Sequence, residues 1–143
     1  MKKVALFTIS FLLVILISAI SFVLGRRYQH EYILEHEKDL AKEEPAPHDG
    51  VGMSTAYSFF SKAPGLKLAF RKRVLKPGSA IGYHLQKGDE IYYILSGTGI
   101  MKMNSDSFAV KAGDGILTRP GSSHGLQQTG TDSLVVIINY TVK

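Results

Sequence analysis

The chain has 143 residues, a formal net charge of +5 and no cysteine. This length suits a single folded domain. The absence of cysteine excludes a disulfide framework and a thiol nucleophile, so an exported domain would depend on its apolar core alone.

An uncharged apolar run occupies residues 4–25, with two lysines before it and two arginines after it. A helix needs about 20 apolar residues to cross a bilayer, whereas the apolar region of a secretory signal has roughly 7–15. The run therefore predicts a transmembrane signal anchor over residues 1–27. A cleaved signal peptide is the alternative, because residues 19–21 resemble a cleavage site. We expect the anchor to hold the following domain on the extracytoplasmic side, and cleavage would make the protein secreted.

Residues 28–50 are strongly polar, and their few apolar side chains recur at roughly helical spacing. This pattern predicts an exposed helix or stalk, which Pro45 and Pro47 end and stiffen into a linker. Three histidines of this segment are interpreted as solvated side chains: His30, His36 and His48. The folded domain is then predicted over residues 51–143.

The charge is divided unevenly along the chain. Residues 1–50 carry six basic and seven acidic side chains, whereas residues 51–143 carry eleven and five. A basic domain favours anionic ligands or anionic lipid headgroups as partners, although surface lysines also serve solubility alone. We expect no nucleic-acid partner, because the domain has neither a basic helix nor a ladder of aromatic and basic residues.

From Leu66 onward, eight short apolar segments alternate with turn clusters such as KPGS, QKGD, AGDG and RPGSS. Short strands at this spacing predict an all-β domain, an antiparallel sandwich or barrel. Successive side chains of a strand point to opposite faces, so His84 and Gln86 share a face. After the QKGD turn, Glu90 starts the next strand opposite them. With His124, these side chains predict a site for a divalent metal with open positions.

The same residues carry a resemblance to the cupin superfamily, over about residues 78–128. The first cupin motif is matched by Gly78, His84, Glu90 and Gly97, with Gln86 in place of a second histidine. The second motif is matched by Gly113, Gly121 and His124, with Arg119 in place of a proline and Gln128 in place of an asparagine.

The resemblance implies a single-domain jelly-roll barrel and says nothing about the one transmembrane helix that the apolar run predicts before it. Small cupins often form dimers, so a homodimer is a further expectation. It also implies metal ligands at His84, Gln86, Glu90 and His124, for Mn, Fe, Ni or Zn. A neutral amide oxygen is a weaker and harder donor than imidazole, which shifts the preference toward Mn(II) or Fe(II). The alternative is a metal-free pocket whose polar residues bond one another.

Five further residues are candidates for ligand binding. Tyr92 shares the face of Glu90, and it is either a pocket hydroxyl or a core aromatic. Arg71 and Arg73 share one face of their strand and would clamp a carboxylate or phosphate if that face points inward. Arg119 either reaches over the barrel mouth or lies on the outer surface. Gln128 shares the parity of His124 and is expected to line the pocket.

Two classes of function follow. The first is a metal-dependent enzyme acting on a small polar substrate such as a sugar, uronate or carboxylic acid. The second is a non-catalytic module that binds or senses a small anionic ligand. The cupin fold supports both, so the fold does not choose between them.

Overall fold

The computed structural model describes residues 14–18, 20 and 32–142. The chain divides into two units, with the boundary after Leu34. In the first unit, residues 14–18 are helical and exposed. Within the described residues, no helix has the length and apolar character needed to span a membrane. The anchor predicted over residues 1–27 lies mostly outside the described residues and stays a prediction.

Among residues 35–142, the second unit has ten strands and a short 3-10 helix, Glu37–Asp39. In chain order the strands are β1 (Lys42–Pro45), β2 (Met53–Phe59), β3 (Leu68–Leu75), β4 (Ala80–Leu85), β5 (Glu90–Ser96), β6 (Thr98–Met103), β7 (Asp106–Lys111), β8 (Gly115–Thr118), β9 (Ser123–Thr129) and β10 (Leu134–Thr141). Strands β3 to β10 follow the eight predicted segments, because short apolar runs bounded by turn residues favour strands. The prediction of an all-β antiparallel domain is confirmed.

The strands form two antiparallel sheets. One has six strands in the order β1-β2-β3-β10-β5-β8, and the other has four in the order β4-β9-β6-β7. The core joins both sheets: Leu75 and Ile94 belong to the larger sheet, while Met101 and Leu126 belong to the smaller one, and all four are buried. Burying one such side chain contributes about 1.5–3 kcal/mol, so this shared core holds the sandwich together.

The second unit begins earlier than the boundary at residue 51 that the sequence predicts. Strand β1 pairs with β2 at the edge of the larger sheet, and the backbone of Val51 bridges to Ala80 on β4. Part of the segment assigned to a stalk is therefore a strand. The β1 sequence, KEEP, has no apolar pattern, and charged side chains with a proline are typical of edge strands.

The alternation of side chains along strand β5 determines which of its residues reach the site. Glu90, Tyr92 and Ile94 are buried, while the residues between them are exposed. Because the side chains alternate between the two faces, an almost continuous apolar strand sends one carboxylate and one phenol into the interior.

Candidate metal centre

A cavity of about 200 Å³ lies in the second unit. Its walls come from β3, β4, β5, β10, the turn after β4 and the loop before β2; the lining residues are Pro47, His48, Arg71, Arg73, Ile81, Gln86, Glu90, Tyr92, Ile138 and Tyr140. Pockets for drug-sized molecules have about 300–1,000 Å³, so this cavity suits a smaller ligand.

Three side chains converge beside this cavity. His84 and His124 face each other across the β4–β9 pair, with their ring centroids 4.5 Å apart. Glu90, the first residue of β5, brings its Oε2 to 3.0 Å from Nε2 of His124. One ligand atom from each of the three residues lies within 4.8 Å of the others. Two adjacent strands of the smaller sheet and one strand of the larger sheet thus assemble a cluster from residues up to forty positions apart.

The polar atoms of this cluster fit a cation. Glu90 Oε2 and His124 Nδ1 are buried and have no hydrogen-bond partner among the described residues. The 3.0 Å contact between Glu90 and His124 is close enough for an ion pair, but it is not a hydrogen bond by direction. Protein nitrogen and oxygen ligands lie about 2.0–2.2 Å from a zinc ion, so 3.0 Å suits two neighbouring ligands of one ion. A buried carboxylate oxygen without a hydrogen bond is costly, and a bound cation would satisfy it.

The tautomer of His84 is set by its own strand. Its Nδ1 lies 2.8 Å from the carbonyl oxygen of Gly82, which only accepts hydrogen bonds. Nδ1 therefore carries the proton and donates it, and the lone pair of Nε2 remains free to bind a metal.

Gln86, the predicted fourth ligand, lines the cavity and also an outer cleft of about 420 Å³. Its backbone N–H donates to Ser122, and its carbonyl accepts from Gly121. These bonds tie the end of β4 to the turn before β9, so the backbone at Gln86 is held near His124. A neutral amide at this wall would add an oxygen donor to two imidazoles and a carboxylate.

Tyr92 is buried, and its hydroxyl lies 3.3 Å from Nε2 of His124. The two rings meet edge to face, with centroids 5.3 Å apart. Burial, reinforced by the nearby charge of Glu90, raises the pKa of Tyr92 well above its usual range. The phenol stays protonated and can donate a hydrogen bond toward the cavity.

Both arginines of β3 line the cavity, so their shared face points inward. Arg73 is buried and already engaged: Nη1 donates to Ser54 Oγ at 2.6 Å, and Nη2 lies 3.1 Å from Glu44 Oε1. Arg71 lies over the ring of Tyr140 at 5.4 Å, and it forms no ion pair within residues 32–142. Arg71 is thus the freer of the two cations.

The other two predicted ligand-binding residues are not among those that line the cavity. Arg119 is 68% exposed, and its Nε lies 3.3 Å from Asp89 Oδ1 at the surface. Gln128 is buried at the opposite end of β9 from His124, where Oε1 accepts from the N–H of Gly78 and Nε2 donates to carbonyls of the turn at residues 129–132. Gln128 is buried, and its amide groups hold two turns together.

His48 is the residue that the sequence interpretation missed. It lies in the segment taken for a solvated stalk, yet its ring stacks on that of His84 with centroids 3.5 Å apart and a 6° angle between the planes. His48 is still exposed to solvent, as predicted, but partial desolvation, followed by the neighbouring His84, lowers the pKa of His48. His48 belongs to the segment PAPHDG, which is typical of a linker. The fold brings this segment to the site through contacts that the local sequence does not reveal.

Two histidines from neighbouring strands of the smaller sheet and a glutamate from the larger sheet thus form a candidate metal site. Residues 72–140 match the family model described as Cupin domain. They include His84, Glu90 and His124, so the match covers the three residues of the two predicted motifs that form the cluster.

Two curated relatives cover part of the chain. An oxalate-binding protein of Thermotoga maritima is 42% identical over 66 residues, which are 46% of this chain and 54% of that protein. An uncharacterized protein of Methanocaldococcus jannaschii is 32% identical over 74 residues, 51% of this chain and 59% of that protein. The matched region therefore spans somewhat more than half the length of each relative.

Among solved structures, that of a predicted oxalate decarboxylase from Thermotoga maritima has a TM-score of 0.71 at 29% identity. The match covers 78% of this chain and 100% of that chain. The similarity in fold therefore extends beyond the residues of the family model.

Proposed function

We propose that the domain binds a divalent cation at His84, Glu90 and His124, and a small carboxylate of the oxalate class beside it. The observation that carries this proposal is the buried Oε2 of Glu90, which has no hydrogen-bond partner within the described residues and lies 3.0 Å from an imidazole nitrogen. Gln86 would add an oxygen donor, and the donor set suits Mn, Fe, Ni or Zn. When bound, the cation would supply Lewis-acid attraction for an anionic oxygen.

The cavity wall supports an anionic ligand. Arg71 has no carboxylate partner within residues 32–142, and a guanidinium matches the geometry of a carboxylate. The protonated hydroxyl of Tyr92 offers a second donor. The relative that is 42% identical is described as oxalate-binding, which supports the same ligand class for this chain.

The test is calorimetric titration of the Mn(II)-loaded, full-length protein with oxalate, in detergent. We expect binding that is lost when a chelator removes the metal. Arg71→Met should weaken oxalate binding by about 10–100-fold, the equivalent of one hydrogen bond to a charged group. Arg119→Met removes a surface arginine and should leave the affinity unchanged. Equal affinity in the parent and the Arg71 variant would remove that residue from the site, and metal-independent binding would contradict the proposed role of the cation.

Catalysis is the second candidate function, and the likeness to a predicted oxalate decarboxylase favours it. Conversion of one singly protonated oxalate would release one formate and one carbon dioxide. Incubation of the metal-loaded protein with carbon-13 oxalate, followed by NMR detection of formate, separates the two candidates. Formate that appears with the parent but not with Glu90→Gln identifies an enzyme; bound oxalate without formate identifies a binding module.

We further propose that residues 4–25 anchor the domain to a membrane, with the domain on the extracytoplasmic side. The proposal is supported by an uncharged apolar run of sufficient length, flanked by basic residues. The protein should remain in the membrane fraction after an alkaline carbonate wash, and the domain should be degraded by protease added outside the cell or spheroplast. Release of a fragment that begins near residues 22–26 would instead identify a cleaved signal peptide.

A further inference from the structure

The loop before β2 is held against β4 by backbone hydrogen bonds. The carbonyl of Pro47 accepts from the N–H of Gly82 at 3.0 Å. Val51 and Ala80 exchange two bonds, at 3.1 and 2.8 Å. The residues between them, 48–50, therefore have little freedom to move away from the metal-site strand.

This close approach depends on two residues without side chains. A Cβ added to Gly50 would lie 2.0 Å from the carbonyl oxygen of Ala80, and one added to Gly82 would lie 1.7 Å from that of His48. Such distances are far below van der Waals contact, so alanine at either position would displace the loop from the strand.

The loop also carries unfavourable backbone conformations. His48 and Asp49 are consecutive non-glycine residues with φ of 58° and 54°. Left-handed conformations are uncommon for such residues, and they persist where the surrounding structure enforces them. These backbone conformations place the ring of His48 parallel to that of His84, with the ring centroids 3.5 Å apart.

We infer that His48 is a positioning residue of the metal centre, which acts by stacking on His84. The inference rests on the proposed function, because it takes His84 as a ligand. The bond from Nδ1 to Gly82 sets the rotation of the His84 ring within its plane, and the stacked ring of His48 sets the plane itself. Together they direct Nε2 of His84 toward the cluster.

Stacking also distinguishes His48 from a ligand. The lone pairs of an imidazole lie in the plane of its ring, and the two planes differ by only 6°. The lone pairs of two parallel rings that are 3.5 Å apart do not converge on one ion. His48 thus supports the site from outside the ligand set, a role typical of the contacts that orient metal ligands.

The first measurement needs no metal. The full-length protein, prepared metal-free in detergent with carbon-13 in its histidine rings, has only five histidines to resolve. A stacked ring shifts the carbon-bound protons of its neighbour upfield. His48→Ala should move the His84 signals downfield, His48→Phe should keep them upfield, and His36→Ala should leave them unchanged. His84 signals that do not move in His48→Ala would overturn the stacked arrangement, whether or not the parent binds metal.

The second measurement is Mn(II) affinity by competition with a chelator. Loss of a contact that orients a ligand typically costs 10–100-fold in metal affinity, so we expect about that loss in His48→Ala and recovery to within about threefold in His48→Phe. Gly50→Ala should resemble His48→Ala. Gly115→Ala is its matched control, because nothing lies within 4 Å of the added Cβ.

The outcomes separate this inference from the proposed function. Absence of Mn(II) binding in the parent contradicts the proposed function, while the NMR result still decides the stack. Parent-like affinity in His48→Ala overturns the positioning role. Affinity in His48→Phe as low as in His48→Ala would show that the ring nitrogens are needed, and it would replace stacking with direct coordination or hydrogen bonding.

Discussion

His124→Gln is expected to lower the affinity for divalent metal by at least about 100-fold. The side chain of His124 is fully buried, and its Nε2 lies 3.0 Å from a carboxylate oxygen of Glu90 that has no hydrogen-bond partner among the described residues. Loss of an orienting contact around a metal typically costs 10–100-fold, and loss of a ligand should cost no less. Metal content by mass spectrometry and Mn(II) affinity by chelator competition measure the effect.

The control for this variant is His36→Gln, since His36 is exposed and lies beside the short 3-10 helix. Circular dichroism establishes that both variants are folded. His84→Gln should behave like His124→Gln, because each leaves one imidazole and one carboxylate. Parent-like metal content in both site variants would contradict the assignment of the cluster as a metal centre.

Gln86→His adds an imidazole to the same site and is expected to raise its metal affinity. It restores the imidazole that the first cupin motif has at this position, and imidazole is a stronger donor than a neutral amide for Zn, Ni or Fe. We expect about tenfold tighter binding of Ni(II) or Zn(II), equivalent to about 1.4 kcal/mol. An unchanged affinity would mean that residue 86 lies outside the coordination sphere.

Much of the fold and the site could be predicted from the sequence because side chains alternate between the two faces of a strand. The spacing of two residues placed His84 and Gln86 on one face, and Tyr92 on the face of Glu90, and the structure has all four at the cavity or its cluster. The relation holds because side chains alternate strictly along a strand. Pairing of β4 with β9 then brings His124 to His84, a contact that the two separated motifs suggested.

The alternation of side chains along a strand does not show which groups a side chain contacts. The contacts of several site residues could therefore not be predicted from the sequence. The alternation showed that Arg71 and Arg73 share a face but not that the face points inward. It placed Gln128 on the face of His124 but did not show that turn carbonyls and the N–H of Gly78 occupy its amide. His48 is harder still, because its position depends on a left-handed backbone and on the small size of Gly50 and Gly82.

The two inward arginines make contacts that predict different roles. Both guanidinium ends of Arg73 are occupied, one by the buried Ser54 and one by Glu44, whose side chain is 26% exposed. Glu44 has a second cation, since Lys42 Nζ lies 3.0 Å from its other oxygen. Arg71 lacks a carboxylate partner within residues 32–142 and lies over the Tyr140 ring. We therefore assign Arg73 to the stability of the cavity wall and Arg71 to the ligand.

Arg73→Met should accordingly lower the free energy of unfolding by about 2–3 kcal/mol. Methionine keeps most of the aliphatic stem but leaves the buried hydroxyl of Ser54 without its donor, which costs about 1–3 kcal/mol, and loses the bond to Glu44. The loss stays below the 3–5 kcal/mol typical of a broken buried ion pair, because Lys42 still neutralises Glu44. Urea unfolding of the full-length protein, followed by the circular dichroism of its strands, measures the change.

Lys72→Met is the matched control, since Lys72 is next along the strand and its partner Glu37 is about half exposed. That ion pair should contribute only about 0.2–1 kcal/mol. Arg71→Met should also leave the unfolding free energy within about 1 kcal/mol of the parent, while weakening oxalate binding. If Arg73→Met unfolds like the parent but loses oxalate affinity, then the two arginines clamp the ligand together, and the division of roles between them is wrong.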